Sequence, residues 1–315
     1  MKLNVLKQAS LPDALTAELA RRYHLVELTA LTDADFRALA GTFTVLITNG
    51  EATVTRALIA SLPALELIAV FGVGYDGVDV QAAAEHQVRV SHTPGVLTDD
   101  VADLALGLML ATSRQIVAAH KFIEAGEWAA GGFPWTQKVS GSRVGIVGMG
   151  RIGQAIARRC AGFAMQIAYH DRKRLPALNY AWREDLLTLA AESDFLVICT
   201  PGTAANQGLI NQPVLAALGE KGILINISRG SVIDEPALVA ALESGIIAGA
   251  GLDVFSHEPA VPAGLLQRSN VVVTPHMASA TWSTRAAMAQ LVLDNVACWA
   301  EKKALVTPVA ESLAD

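Results

Sequence analysis

The chain has 315 residues, enough for two domains, and at 52% hydrophobic and 17% charged it can bury a large core. Thirty acidic against twenty-four basic residues leave a net charge of −6, which excludes the basic footprint of a nucleic-acid-binding protein. Three widely spaced cysteines, Cys160, Cys199 and Cys298, give neither a disulfide framework nor zinc-ligand spacing, so no metal is expected. Each lies in an apolar stretch, as a small buried hydrophobe would.

The first residues, MKLNVLKQASLPD, lack the apolar core and cleavage site of a secretory signal. No stretch reaches membrane-span length without a charge or helix breaker, so the expectation is a cytoplasmic protein with no membrane contact. FTVLITNG (43–50), LELIAVFG (65–72) and QVRVSH (87–92) read as strands, with VTRALIASL (54–62) as a helix among them. That alternation predicts a parallel sheet covered by helices. Thr98 then reads as the N-cap of one long helix over about 99–125, whose apolar positions nearly encircle it and predict burial between domains. After a Gly- and aromatic-rich loop (126–142), a second α/β series runs from RVGIVG to about residue 281. The tail from Trp282 reads as a helix returning to the first domain. Residues 1–98 and 282–315 are thus expected to form one discontinuous domain, and 99–281 the other.

RVGIVGMGRIGQAIARRC (143–160) sets Gly148-x-Gly150-x-x-Gly153 directly after a Val/Ile strand and at the start of a helix. In that context the spacing is a dinucleotide fingerprint. The glycines let the backbone turn tightly and approach a pyrophosphate, and the helix N-terminus supplies N–H groups and partial positive charge. Arg151 and Ile152 between the glycines, and Val101 from the preceding helix, join the expected cofactor-binding set. The second strand, QIAYH, is followed by Asp171, 23 residues after Gly148, where such folds place the acid that holds the adenosine ribose hydroxyls. An acid there favours NAD(H), yet Arg172, Lys173 and Arg174 come next and are good phosphate ligands. Asp171 pairing with one of these cations would turn it away. NADP(H) is narrowly favoured, with NAD(H) the alternative.

Further blocks end other strands. FLVICTPGT (195–203) leads to Thr200 and Pro201, a loop on which a cofactor can lie. GILINISRGSVIDEPALVAAL (222–242) brings Ile227, Ser228 and Arg229 to a strand end. GAGLDVFSHEP (249–259) and NVVVTPHMASAT (270–281) carry Asp253, Glu258, His276 and Ala278 to similar positions. Ligands of open α/β sheets bind beyond the carboxyl ends of the strands, so these residues are expected to converge on one crevice.

Together with FGVGYDGVD (71–79) and HTPGVLTDDVADLALGLML (92–110), these blocks are specific. Through them the chain resembles the D-isomer-specific 2-hydroxyacid dehydrogenase family over nearly its whole length, and within it the glyoxylate/hydroxypyruvate reductases. The resemblance implies two doubly wound parallel-sheet α/β domains, a Rossmann cofactor domain inserted into a flavodoxin-like substrate domain, with the active site in the cleft. It implies NAD(P)H-dependent reduction of glyoxylate, hydroxypyruvate or a related 2-keto acid to the D-hydroxy acid. Arg229, Glu258 and His276 match the family's catalytic residues, Val73 and Gly74 its backbone site for the substrate carboxylate, and Asp253 its partner for the nicotinamide carboxamide. In related reductases an aromatic from the loop before the cofactor domain enters the partner subunit's pocket, so Trp135 reads either as the mark of a homodimer or as a core anchor. Asn49 and Gly50 read as the edge of a substrate loop or as an ordinary turn. Phe71 and Tyr75 flank the carboxylate loop and set pocket size or serve packing.

The residue types suit that chemistry. A histidine is the natural proton donor near neutral pH. A carboxylate on its other ring nitrogen orients it and favours its protonated form, and an arginine supplies charge where an alkoxide develops. Glu258 stands where the formate dehydrogenase branch has Gln. Phosphoglycerate dehydrogenases often carry a C-terminal extension, but short forms exist, so a D-3-phosphoglycerate dehydrogenase-like enzyme stays an alternative. A dinucleotide-sensing co-regulator of the same fold is the reading from a different class, and turnover of hydroxypyruvate separates the two.

Overall fold

In the computed structural model, residues 2–312 are described. They form two compact units: residues up to Leu97 together with those from Ala280 onward, and Thr98–Ser279. Residue 1 and residues 313–315, at the ends of the expected first domain, lie outside the described residues.

The first unit alternates β1 (Asn4–Lys7), α1 (Asp13–Arg22), β2 (His24–Glu27), α2 (Asp33–Leu39), β3 (Val45–Asn49), α3 (Arg56–Ala60), β4 (Leu67–Phe71), α4 (Val80–Glu85) and β5 (Arg89–Ser91). Thr32, Thr55 and Asp79 cap α2, α3 and α4 by accepting a first-turn N–H. The five strands pair in parallel in the order β2-β1-β3-β4-β5, a doubly wound flavodoxin-like sheet. Strands β3 and β4 are apolar on both faces and buried nearly throughout, as a sheet covered on both sides requires. Leu6, Leu46, Ile68 and Val90 form one face of its core, against Ile59, Val78 and Ala82.

The second unit holds α5 (Thr98–Ser113), α6 (Ile116–Glu124), β6 (Arg143–Val147), α7 (Arg151–Gly162), β7 (Gln166–His170), β8 (Ala181–Trp182), α8 (Leu186–Ala191), β9 (Phe195–Ile198), α9 (Gln212–Leu218), β10 (Ile223–Asn226), α10 (Glu235–Glu243), β11 (Gly249–Leu252), α11 (Ala263–Leu266) and β12 (Val271–Val273). Its seven strands are parallel, in the order β12-β11-β10-β9-β6-β7-β8. The order reverses between β6 and β9, the switch point where a Rossmann sheet opens a crevice. The chain then completes the first unit with α12 (Trp282–Ala300), which packs on β4.

The single helix expected over 99–125 is two. α5 ends at Ser113, Gln115 adopts a left-handed φ of +48°, and α6 sets off at 55°. The Ser113 carbonyl accepts the Gln137 N–H, so the chain returning from the loop takes a group that a continuing helix would need. Thr98 is the first helical residue and not the cap. Val101, Ala105, Leu108, Met109 and Thr112 of α5 are buried, and α5 packs against α7 and β10–β12 of its own unit. The glycines of β11 permit this approach: a Cβ on Gly251 would stand 3.0 Å from Leu108, and one on Gly249 3.1 Å from Thr112. No single helix among the described residues is long and apolar enough to cross a membrane. Burial pushes the Cys160 thiol up to about 12 and raises the Cys199 thiol as well, while Cys298 is partly buried.

Candidate active site

The glycine loop follows β6. Gly148 has φ +93°, and a Cβ there would stand 2.9 Å from the Thr200 nitrogen, so only glycine fits both conformation and space. A Cβ on Gly153 would reach 2.2 Å from the Gly148 carbonyl oxygen, which ties the first turn of α7 to the loop. Gly150, the N-cap of α7, contributes no side-chain cap, and its Cβ position is open. The first turn of α7 is therefore left without a side-chain cap, as at helix N-termini that receive an anion. Asp171 does not pair with the cations beside it. Its carboxylate accepts the Met149 N–H at 2.9 Å and the Arg172 N–H at 2.7 Å. Arg172, Lys173 and Arg174 are exposed.

Asn206 organises the loop after β9, donating to the Thr200 hydroxyl and the Pro201 carbonyl, both at 2.9 Å. After β10, Asn226 plays the same part. It is fully buried, accepts from the Ser228 N–H and hydroxyl, and donates to the Arg229 carbonyl at 2.9 Å. Sequence reasoning passed over both, although Asn226, at a strand end, is a known turn-former. The Arg229 stem runs past Gly202, where a Cβ would come within 2.7 Å of its Cγ. Gly230 is pressed against the Phe255–Ser256 peptide, leaving no room for a methyl group. Val101, Ile227 and Ala278 are buried, while Ser228 and Ile152 are partly so and Pro201 and Arg151 are exposed.

His276, Glu258 and Asp253 form one construction. Asp253 is fully buried. Its Oδ1 accepts the Thr274 hydroxyl at 2.6 Å and the Met277 N–H, and its Oδ2 accepts the Ala278 N–H. Burial raises its carboxyl, and that effect outweighs these bonds and the charge of His276. Wrapped around this carboxylate, His276 takes a left-handed φ of +48°, a backbone strain of the kind found at functional sites. Its Nδ1 stands 2.7 Å from Glu258 Oε2, and Glu258 Oε1 accepts the Phe255 N–H. Because an ionised carboxylate only accepts, Nδ1 carries the proton of this bond. Burial alone would raise the Glu258 carboxyl. The hydrogen bonds from His276 and Phe255 and the charges of His276 and Arg229 reverse this, holding it below the usual carboxylate range. Glu235 Oε1 accepts the Ser256 N–H and steadies the same loop.

In the first unit, Asn49 stands opposite Phe71 in the β3–β4 register. The Asn49 side chain is spent on its own turn, accepting the Glu51 and Ala52 N–H groups and donating to the Ser10 carbonyl. Gly50 and Gly72 lie in near contact, 3.2 Å from a Cβ on Gly72. Phe71 is buried, with the Arg285 guanidinium 5.5 Å from its ring centroid. Tyr75 sets its ring edge-on to His92, and burial raises its phenol. Val73 and Gly74 form the partly exposed loop between them. Trp135, in the second unit, is fully exposed, so the core-anchor reading fails for this chain.

A glycine-fingerprint Rossmann unit that also carries a histidine–carboxylate pair defines a nicotinamide-dinucleotide oxidoreductase. The family profile described as D-isomer specific 2-hydroxyacid dehydrogenase, NAD binding domain, matches residues 106–278. A hydroxyphenylpyruvate reductase of Plectranthus scutellarioides is 45% identical over 98% of this chain and 99% of its own. A glyoxylate/hydroxypyruvate reductase of Arabidopsis thaliana is 40% identical over the same shares. The crystal structure of an NADPH-dependent glyoxylate/hydroxypyruvate reductase from Sinorhizobium meliloti, in complex with NADP and malonate, superposes with a TM-score of 0.92 at 42% identity, covering 99% of this chain and 98% of that one. The chain belongs to the D-isomer-specific 2-hydroxyacid dehydrogenase family and is a NAD(P)-dependent oxidoreductase of 2-hydroxy or 2-keto acids.

Proposed function

We propose that the protein reduces glyoxylate, hydroxypyruvate or a closely similar 2-keto acid to the D-2-hydroxy acid, with NADPH preferred over NADH. The observation that carries this reading is the 2.7 Å hydrogen bond from His276 to Glu258 within a glycine-fingerprint unit. His276 gives the proton from Nε2 to the substrate's carbonyl oxygen. Glu258 holds the ring by Nδ1 and stabilises its charge until that moment. Arg229 binds the substrate carboxylate and offsets the negative charge that develops on the oxygen. Val73 and Gly74 hold the carboxylate through backbone N–H groups, with Phe71, Tyr75, Asn49 and Gly50 nearby in the same unit. A reduced nicotinamide bound there would supply the hydride for the carbonyl carbon. Gly148, Gly150, Arg151, Ile152 and Gly153 would hold its pyrophosphate, and Val101, Thr200, Pro201, Ile227, Ser228, Asp253 and Ala278 the rest of the dinucleotide.

The NADPH preference is supported by Asp171, whose carboxylate is turned to backbone N–H groups, and by exposed Arg172 and Lys173 beside it. We further read the protein as a homodimer, since α6 and the loop after it expose Ile116, Ile123, Trp128 and Trp135. The compartment is read as the cytoplasm, which three free thiols fit.

The test is initial rates on a panel of glyoxylate, hydroxypyruvate and hydroxyphenylpyruvate, each with NADH and NADPH. The aromatic acid is included because of the hydroxyphenylpyruvate reductase among the relatives. His276→Gln should lower kcat about 100-fold or more with NADPH affinity nearly intact. Robust turnover by that variant, or none by the unmodified enzyme on any keto acid, sinks the reading. Tight cofactor binding without turnover would favour a sensor.

A further inference from the structure

Residues 72–74 hold two successive peptides whose carbonyls are both taken by the same neighbouring segment. The Gly72 carbonyl accepts the Thr93 N–H at 2.8 Å. The Val73 carbonyl is 2.9 Å from His92 Nδ1. A carbonyl can only accept, so His92 carries a proton on Nδ1. In a trans peptide the C=O and the following N–H point in opposite directions, and the one cis bond among the described residues is elsewhere, at Glu258–Pro259. Two carbonyls drawn toward residues 92–93 therefore send the Val73 and Gly74 N–H groups away from that segment, toward a common side. Successive N–H groups so arranged form an anion-binding nest.

The Thr93 half of this clamp is backbone. The His92 half is a side chain, and it is braced. The Tyr75 ring lies edge-on to it, with centroids 5.2 Å apart. The His92 carbonyl accepts the Thr307 hydroxyl at 2.6 Å, and its N–H donates to the Thr307 carbonyl. Thr307 is held in turn by the buried Asn295 of α12, which donates to its hydroxyl and accepts its N–H.

We propose that His92 is a positioning residue for the substrate's carboxylate: by holding the Val73 carbonyl it aims the Gly74 N–H, and the segment around Thr307 sets its own position. This rests on the reading above, in which Val73 and Gly74 receive the carboxylate.

The test compares the full-length enzyme with His92→Phe, which keeps a ring beside Tyr75 and removes the donor, and His92→Asn, which restores an N–H near the place of Nδ1. Loss of one neutral hydrogen bond predicts a rise of about 3- to 10-fold in KM for the preferred keto acid. The inhibition constant of oxamate, a carboxylate analogue of the substrate, should rise in step. For His92→Phe, kcat and the KM for NADPH should stay within about twofold, and His92→Asn should recover most of the loss. His92→Ser, too short to reach the carbonyl, carries the same expectation as Phe and serves if the larger variant does not fold. An unchanged KM in folded Phe and Ser variants overturns the proposal, as does an equal fall in kcat and cofactor affinity without rescue by Asn. Absence of turnover by the unmodified enzyme overturns the parent reading instead, and is seen before any variant is made.

Discussion

His276 takes a left-handed backbone around a carboxylate buried at the end of the preceding strand, β11. Residue types at this site were legible because each motif is local: glycines at fixed spacing after a strand, a histidine after Thr-Pro. Apart from the expected His276–Glu258 pair, their partners were not. That Asp253 spends both oxygens on residues 274–278, and Asn226 its whole amide on the Arg229 turn, depends on which strands become neighbours. Asp171 shows the same limit, since spacing located it, but its donors are the Met149 and Arg172 N–H groups and not the neighbouring cationic side chains that it could have paired with. The lowered Glu258 carboxyl makes a prediction. A group whose folded pKa is depressed contributes its interaction above the ordinary carboxylate pKa and loses it as pH falls through the folded value. The His276–Glu258 pair should thus persist across the neutral range and fail only in acid below the usual carboxylate range. In Glu258→Gln, kcat should fall about 10-fold or more near neutral pH, and the alkaline limb of the kcat/KM profile should move toward acid. A profile of unchanged shape would show that the carboxylate does not support the proton donor.

Among the elements, α6 is the one that composition misreads. Its residues, IVAAHKFIE, are apolar enough to continue α5, yet none of them is buried. Hydrophobic periodicity reports that a face wants covering, not which surface covers it. The break at Gln115 carries no glycine or proline, so only the tertiary demand for the Ser113 carbonyl reveals it. The exposed apolar arm, Ile116 through Trp135, is expected to be covered by a second copy. Light scattering should give a dimer at micromolar concentration for the unmodified chain. Ile123→Glu combined with Trp135→Ala should shift it toward monomer, by about 10-fold or more in dissociation constant. A monomer in the unmodified protein would remove this assignment.

For the molecule as a whole, α/β alternation made the class readable, and the return of the C-terminal helix to the first unit followed from its position after the last strand of the second. Strand order was not readable, because it depends on crossovers that no local pattern encodes. The glycine loop, the switch point and α7 all belong to the second unit, so a dinucleotide should stabilise that unit directly. At 100 times its Kd, NADPH should add about 2.7 kcal/mol, or roughly 5–10 °C in the melting transition of a unit of this size. Arg172→Ala should lose much of the NADPH shift and keep the NADH shift. Equal loss of both would mean that the cationic run does not read the extra phosphate.

Residues 308–312 close over the edge strand β5, and this bears on synthesis. The Val90 N–H and carbonyl are satisfied by Ser312 and Val309, and Ser91 bridges Pro308, more than 200 residues later in the chain. On the ribosome, the second unit can close from one uninterrupted stretch, whereas β5 must wait with a bare edge until residues 308–312 are made. The unit begun before the second is thus completed after it, and in that interval a chaperone, or another nascent copy, has an open strand to bind.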